Sequence, residues 1–328
     1  MATLNKKWLL FIFITLLLSF PMAQASFFEQ WPKTDFTKSS VNLEEVMFGG
    51  PGKDGIPAID SPKFVSLDEA TTRLNDTDPI IGVVIKGEAK AYPLRVLIWH
   101  EIVNDVIADV PVAVTYCPLC NTSIVFDRRI GQKVLDFGTT GNLRHSDLIM
   151  YDRQTQSWWQ QYEGNAIVGD LVGTNLRVLA SRLESFADFK KRAPNGQVLV
   201  PNNPAFRDYN RNPYVGYDSS ALPFLFKGKL PKNLTPMMRV IAVDGLAVSL
   251  PLLSQQQNVK QGDLSFSWHK GQSSVLDTSD IGQGRDVGNV LVTRNGEDVP
   301  YIVTFAFAYF AFNPDGKLYT KQGEMAVY

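Results

Sequence analysis

Cys117 and Cys120 are the only cysteines in the chain, and they stand in a Cys-Pro-Leu-Cys turn. Thiols at this spacing can close a small disulfide, grip one metal ion or supply a nucleophile. Pro118 stiffens the turn and removes a backbone donor. Residues 110–116 before it and 123–129 after it are apolar and rich in β-branched side chains, so both flanks read as strands. A thioredoxin-like motif would instead lead into a helix, which argues against that fold. A purely structural disulfide is the plainer reading. It is weakened because so small a loop removes little entropy from the unfolded chain.

His100 and Glu101 lie in the stretch 93–105, PLRVLIWHEIVND, which reads as a helix begun by Pro93 and running to about Asp105. On a helix His100 and Asn104 share a face. HEIVN is half of the H-E-x-x-H zinc signature, with Asn104 where the second histidine belongs, which argues against a zincin-like protease. His100 is instead the nitrogen that can join Cys117 and Cys120 at an ion, with Met150 as a soft fourth donor. A Cys, Cys, His, Met set favours Cu(I), with zinc the second choice. Glu101 and the two cysteines are the candidate catalytic groups. Glu101 or Asn104 would orient the imidazole, and Asp105, His145, Asp147 and Trp158 are the further polar and aromatic residues expected around the centre. Against this stands a bland alternative: His100 and Glu101 satisfy buried backbone groups, and Met150 is core.

The elements that must position these residues read as α+β, predominantly β: an antiparallel, strand-rich body with a few short helices. Residues 80–86 and 89–92 form a hairpin, Ser66 and Ser185 cap short helices, and strands recur at 147–151, 157–162, 239–243, 247–250, 264–269 and 290–293. VVIKGEAKAYPLRVL resembles VIAVDGLAVSLPLLS, each a hairpin running into a proline-started segment. That echo suggests two quasi-repeated halves. Residues 26–63, rich in Pro, Gly and Asp, read as an extended lead-in over the surface. Residues 64–328 form one domain, and the irregular stretch around 201–236 is long enough to be a lid or a linker.

Residues 1–25 have a Lys6-Lys7 n-region, an apolar run over 8–18 and an Ala23-Gln24-Ala25 cleavage pattern, which predict a signal peptide cut after Ala25. The expected location is periplasmic or secreted, a setting where disulfides persist, with no stable membrane insertion after cleavage. Loss of two lysines and no acid then takes the formal charge from −1 to −3. Near-neutrality without a basic cluster argues against a nucleic-acid partner. No phosphate loop, G-x-S-x-G elbow or dinucleotide fingerprint is present.

HEIVND (100–105), VTYCPLCNT (114–122) and SDLIMYDRQTQSWWQ (146–160) together resemble the bacterial and archaeal family catalogued as domain of unknown function 3179. RDYNRNPYVGYD (207–218) and FAYFAFNPDG (307–316) add weaker support. The resemblance implies one family-length unit and no particular activity. The leading expectation is thus an exported protein with a thiolate-based metal or redox site, holding copper or zinc. The alternatives are a metal-free thiol–disulfide oxidoreductase, with a redox-protein or small-molecule partner, and a non-catalytic binding protein with a structural CPLC disulfide.

Overall fold

The hairpin Pro79–Ile85 and Glu88–Pro93 sets the plan of the chain. Its turn, Lys86-Gly87, has both residues at positive φ, the twist that matches two antiparallel strands. Helix Leu94–His100 follows, then an antiparallel meander of Ile102–Ile107, Val110–Cys117 and Thr122–Asp127. Strand Arg182–Ser185 returns to pair with Pro79–Ile85. Helix Phe186–Arg192, capped by the Ser185 hydroxyl, then carries the chain to Gln197–Val200, which runs parallel to Glu88–Pro93. The computed structural model describes residues 29–321 and 323–325.

The same order recurs. Hairpin Arg239–Val243 and Leu246–Ser249 leads into helix Leu250–Gln256 and the meander Asn258–Gln261, Leu264–His269 and Asn289–Arg294. Ile302–Phe305 returns to the first strand, and helix Ala306–Phe312 leads to Lys317–Thr320, parallel to the second. The echo in the sequence is therefore a repeated topology. The first copy carries an inserted sheet of Phe137–Arg144, Asp147–Asp152, Trp158–Gln160 and Asn165–Val168 after its meander. That insertion brings Asp147 to the thiols.

One apolar cluster runs through both copies and holds Cys117, Cys120, Tyr116 and Phe126 together with Phe305 and Phe307. Each large side chain withdrawn from water here contributes about 1.5–3 kcal/mol, and the turn is packed within this cluster.

Two expectations are corrected. The helix ends at His100 and does not reach Asp105, because residues 102–107 pair with 110–115 and cover both faces of the meander. An apolar, β-branched run of this length serves equally as helix or strand, and long-range pairing decides. The lead-in is also more than a surface crossing. Trp31 is buried edge-on against Tyr151 and Trp158 at 4.9 and 5.2 Å, and Val46–Phe48 adds a strand beside Phe137–Arg144. Residues 201–236 are irregular as expected, apart from one short 3-10 turn, Tyr217–Ser219.

A candidate thiol and carboxylate centre

The Cys117–Cys120 turn closes the hairpin between Val110–Cys117 and Thr122–Asp127, and three other pieces of chain fix it. The Cys120 carbonyl accepts from the Thr304 hydroxyl at 2.9 Å and the Phe305 amide at 3.2 Å, both from the second copy. The Leu119 carbonyl accepts from the Tyr217 hydroxyl at 3.0 Å, out of the long loop. Facing the sulfurs is the two-residue turn His145-Ser146, both at positive φ, between Arg144 and Asp147 of the inserted sheet. Cys117 Sγ donates to the Ser146 carbonyl at 3.6 Å and Cys120 Sγ to the His145 carbonyl at 3.7 Å.

Asp147 follows that turn, and a carboxylate oxygen of it and the two sulfurs all lie within 4.8 Å of one another, buried. Its oxygens are held by the Gln160 amide at 2.7 Å, the Tyr162 backbone N–H at 2.8 Å and the Thr122 hydroxyl at 3.3 Å. Burial raises its pKa to about 7 against those hydrogen bonds. Both free thiols are pushed up as well, first by burial and further by Asp147.

Glu101 lies beside this cluster, on a cavity it shares with Cys117. It caps helix Leu94–His100 at φ 57°, a left-handed setting that turns the chain from helix into strand. Its N–H bonds back to Leu97 and its carbonyl accepts from Tyr116, so the backbone is fixed at both ends. The side chain is buried, lines one small cavity with Cys117, and has no hydrogen bond or ion pair among the described residues. Burial, with Asp147 nearby, raises its pKa to about 8. The cavity measures about 130 Å³. Its walls include Gly49, Pro51 and Gly141, and its roof is Tyr214, Phe224 and Leu225 from the long loop. Gly141 has φ +75°, and a Cβ there would sit 1.8 Å from the Pro51 carbonyl oxygen, so the wall requires glycine.

Several sequence-derived candidates lie elsewhere. His100 does not join the thiols. Its Nδ1–H donates to the Pro57 carbonyl at 2.8 Å, which leaves Nε2 to accept from the Tyr209 hydroxyl at 2.8 Å. The ring stacks on Phe206 and Tyr209 beside a separate cavity, and burial lowers its pKa, so its lone pair is already taken. Met150 is packed in the main apolar cluster, paired across strands with Thr139 and Trp159. It stands an odd number of residues from Asp147 on one strand, which turns the two to opposite faces.

Asn104 braces no imidazole: its amide donates to Asp60 and to the Phe137 carbonyl at 2.8 Å each. Asp105 pairs with Lys90 at 3.0 Å and accepts from the Tyr92 hydroxyl at 2.6 Å. The His145 ring points to Glu45, 3.5 Å away, and only its carbonyl meets a thiol. Trp158 packs with Trp31 and Phe36 in a separate cluster. We expect His100→Ala to leave any metal bound by the thiols undiminished, with elemental analysis of the purified variant as the check. A loss of metal would mean that the ring swings inward.

Fold and centre together define a β-rich α+β protein, built on a duplicated hairpin–helix–meander unit, with two thiols and one carboxyl clustered in its core and a second carboxyl on a cavity shared with Cys117. The chain belongs to the family described as protein of unknown function (DUF3179), which matches residues 53–316. No curated protein and no solved structure matches it.

Proposed function

We propose that this protein holds a transition-metal ion on Cys117, Cys120 and Asp147, with Glu101 on the open side of the ion. One observation carries the reading: Cys117, Cys120 and Asp147 are buried within 4.8 Å of one another, Glu101 shares a cavity with Cys117, and none of the four side chains pairs with the side chain of a Lys, Arg or His among the described residues. Buried groups whose pKa values are all raised keep their protons unless a positive charge takes the protons' place. A bound cation inverts their titration by taking thiolates and carboxylates in place of protons. Spacings within 4.8 Å let small rotations bring sulfur to about 2.3 Å and oxygen to about 2.0–2.2 Å from one ion.

The donor set favours zinc over copper. Cu(I) would be favoured by a thioether and an imidazole beside the sulfurs, but Met150 is packed in the core and His100 bonds Pro57 and Tyr209. Carboxylate oxygen is a harder donor that zinc accepts readily. A cavity of about 130 Å³ leaves room for an ion and a few waters, at roughly 30 Å³ each, but for no bulky substrate. The reading is therefore an ion-holding centre whose open position faces Glu101. Thiol–disulfide exchange is less well supported, because both thiols are buried and their pKa values are raised, whereas attack needs an accessible thiolate. We also propose export, on the pattern of residues 1–25.

Metal analysis of protein expressed with export intact tests this. We expect roughly one ion per chain, and a loss of most of it in both Cys117→Ser and Asp147→Asn. Thiols of the loaded protein should resist alkylation under denaturant until a chelator is added. Equal metal in wild type and both variants would defeat the proposal, and an easily reduced Cys117–Cys120 disulfide would move the case to redox exchange.

A further inference from the structure

Leu222, Phe224 and Leu230 are exposed, and they alternate with side chains that are not. Leu225 and Phe226 turn inward onto the main apolar cluster, where Phe226 meets Phe307 edge-on at 5.0 Å. The segment is pinned where it crosses the thiol cavity: the Phe224 carbonyl accepts from the Ser146 hydroxyl at 2.6 Å, and its N–H donates to the Tyr217 hydroxyl at 3.3 Å. Of the eleven large apolar side chains exposed among the described residues, five fall in residues 201–236, so these are grouped and not scattered. Lys227, Lys229 and Lys232 are exposed within the same stretch. From Ser219 to Pro236 there is no acidic residue, although the chain as a whole carries a net charge of −1.

We infer that residues 221–232, ALPFLFKGKLPK, dock the protein on an anionic lipid surface, with Leu222, Phe224 and Leu230 entering the headgroup boundary and the three lysines meeting phosphate. This stands apart from the metal reading. Apolar side chains interleaved with lysines match an interface that is oily below and negatively charged above. Charge complementarity selects the occupant: a segment with three exposed lysines and no acid suits a densely anionic bilayer better than a second copy of a chain whose net charge is only −1. The pinned backbone means little order has to be gained on contact. The contact is peripheral, since no helix among the described residues is long and apolar enough to cross a membrane. Docking would set the roof of the thiol cavity against the membrane.

The test uses the full chain with Ala221→Cys carrying an environment-sensitive dye. The native thiols are buried, so labelling is confined to the loop. With vesicles of phosphatidylglycerol in phosphatidylcholine, we expect a blue shift, quenching by brominated lipid and weakening by salt. Pure phosphatidylcholine should give much less. Leu222→Asp with Phe224→Asp should lower the loop's partitioning by about tenfold per side chain. Should that pair unfold the chain, Lys227→Glu, Lys229→Glu and Lys232→Glu together must still abolish the preference for anionic lipid. A dye that stays in water while the chain sediments with vesicles would overturn the inference, since residues outside the loop would then be the attachment. A shift that grows with protein concentration in the absence of lipid would overturn it in favour of self-association.

Discussion

In the absence of metal, the protein is expected to lose stability as pH rises from about 4.5 to 8, and Glu101→Gln to remove roughly half of that loss, Asp147 carrying the rest. Glu101 has an ordinary value of 4.5 and one of about 8 in the folded chain. Between those values the folded state holds a proton that the unfolded state releases, so raising the pH favours unfolding. The stability is complete below 4.5 and is lost as pH climbs through 8. Asp147, moved from 3.8 to about 7, acts in the same direction over a slightly lower window. A shift of this size corresponds to a few kcal/mol at 1.36 kcal/mol per unit. Glutamine has nearly the same shape and cannot ionise, so the variant should gain on the wild type at pH 8 and match it near pH 4.5. Urea midpoints across that range give the comparison. With zinc present the slope should flatten or reverse, since the ion holds the deprotonated donors. A wild-type midpoint that stays level from pH 5 to 8 without metal would mean that the carboxyls find water or a counter-charge.

Much of the frame was legible because its signals are local. The Cys-Pro-Leu-Cys turn and its flanking strands needed only β-branched runs around a tight bend. The Ser185 cap and the first hairpin are likewise fixed by a few adjacent residues, although the hairpin turns at Lys86-Gly87, one residue earlier than the flanking runs suggest. The repeat was visible because each copy places a proline at the hairpin-to-helix junction, Pro93 and Pro251.

The centre was less legible, and the reason is one backbone torsion. Glu101 adopts φ 57° without being glycine, so nothing in HEIVND marks where helix gives way to strand. Continued as a helix, the segment puts His100 and Asn104 together and makes histidine the natural ligand. Broken at Glu101, it sends His100 to Pro57 and Tyr209 and turns the carboxyl toward Cys117. In the sequence Asp147 reads only as a residue supporting a ligand. Its place beside the sulfurs depends on the His145-Ser146 turn, and with it on the inserted sheet closing over the Cys hairpin, a contact across 25 to 30 residues that no local pattern encodes.

Asp218→Ala is expected to cost about 3–5 kcal/mol and, in the metal-free protein, to expose the thiols to alkylation. Asp218 lies in the Tyr217–Ser219 turn with its side chain wholly buried, 2.8 Å from Arg239 and 2.8 Å from Arg285. Arg239 lowers its pKa against the cost of burial. Removing the carboxylate strands Arg239, whose Nε already has no partner, whereas Arg285 keeps Asp277 at 3.1 Å. The neighbouring Tyr217 hydroxyl links the Leu119 carbonyl to the Phe224 N–H, so this ion pair anchors the roof of the cavity as well as the loop. Urea denaturation reads the stability, and iodoacetamide labelling of the folded variant reads the roof, with a rise of about tenfold or more if the loop opens locally before global unfolding. Adding Arg239→Met should recover part of the stability by removing the stranded charge, yet leave the thiols open, because Tyr217 would still lack its anchor. Thiols that stay protected in both variants would mean that the packing of Leu225 and Phe226 on the core holds the roof unaided.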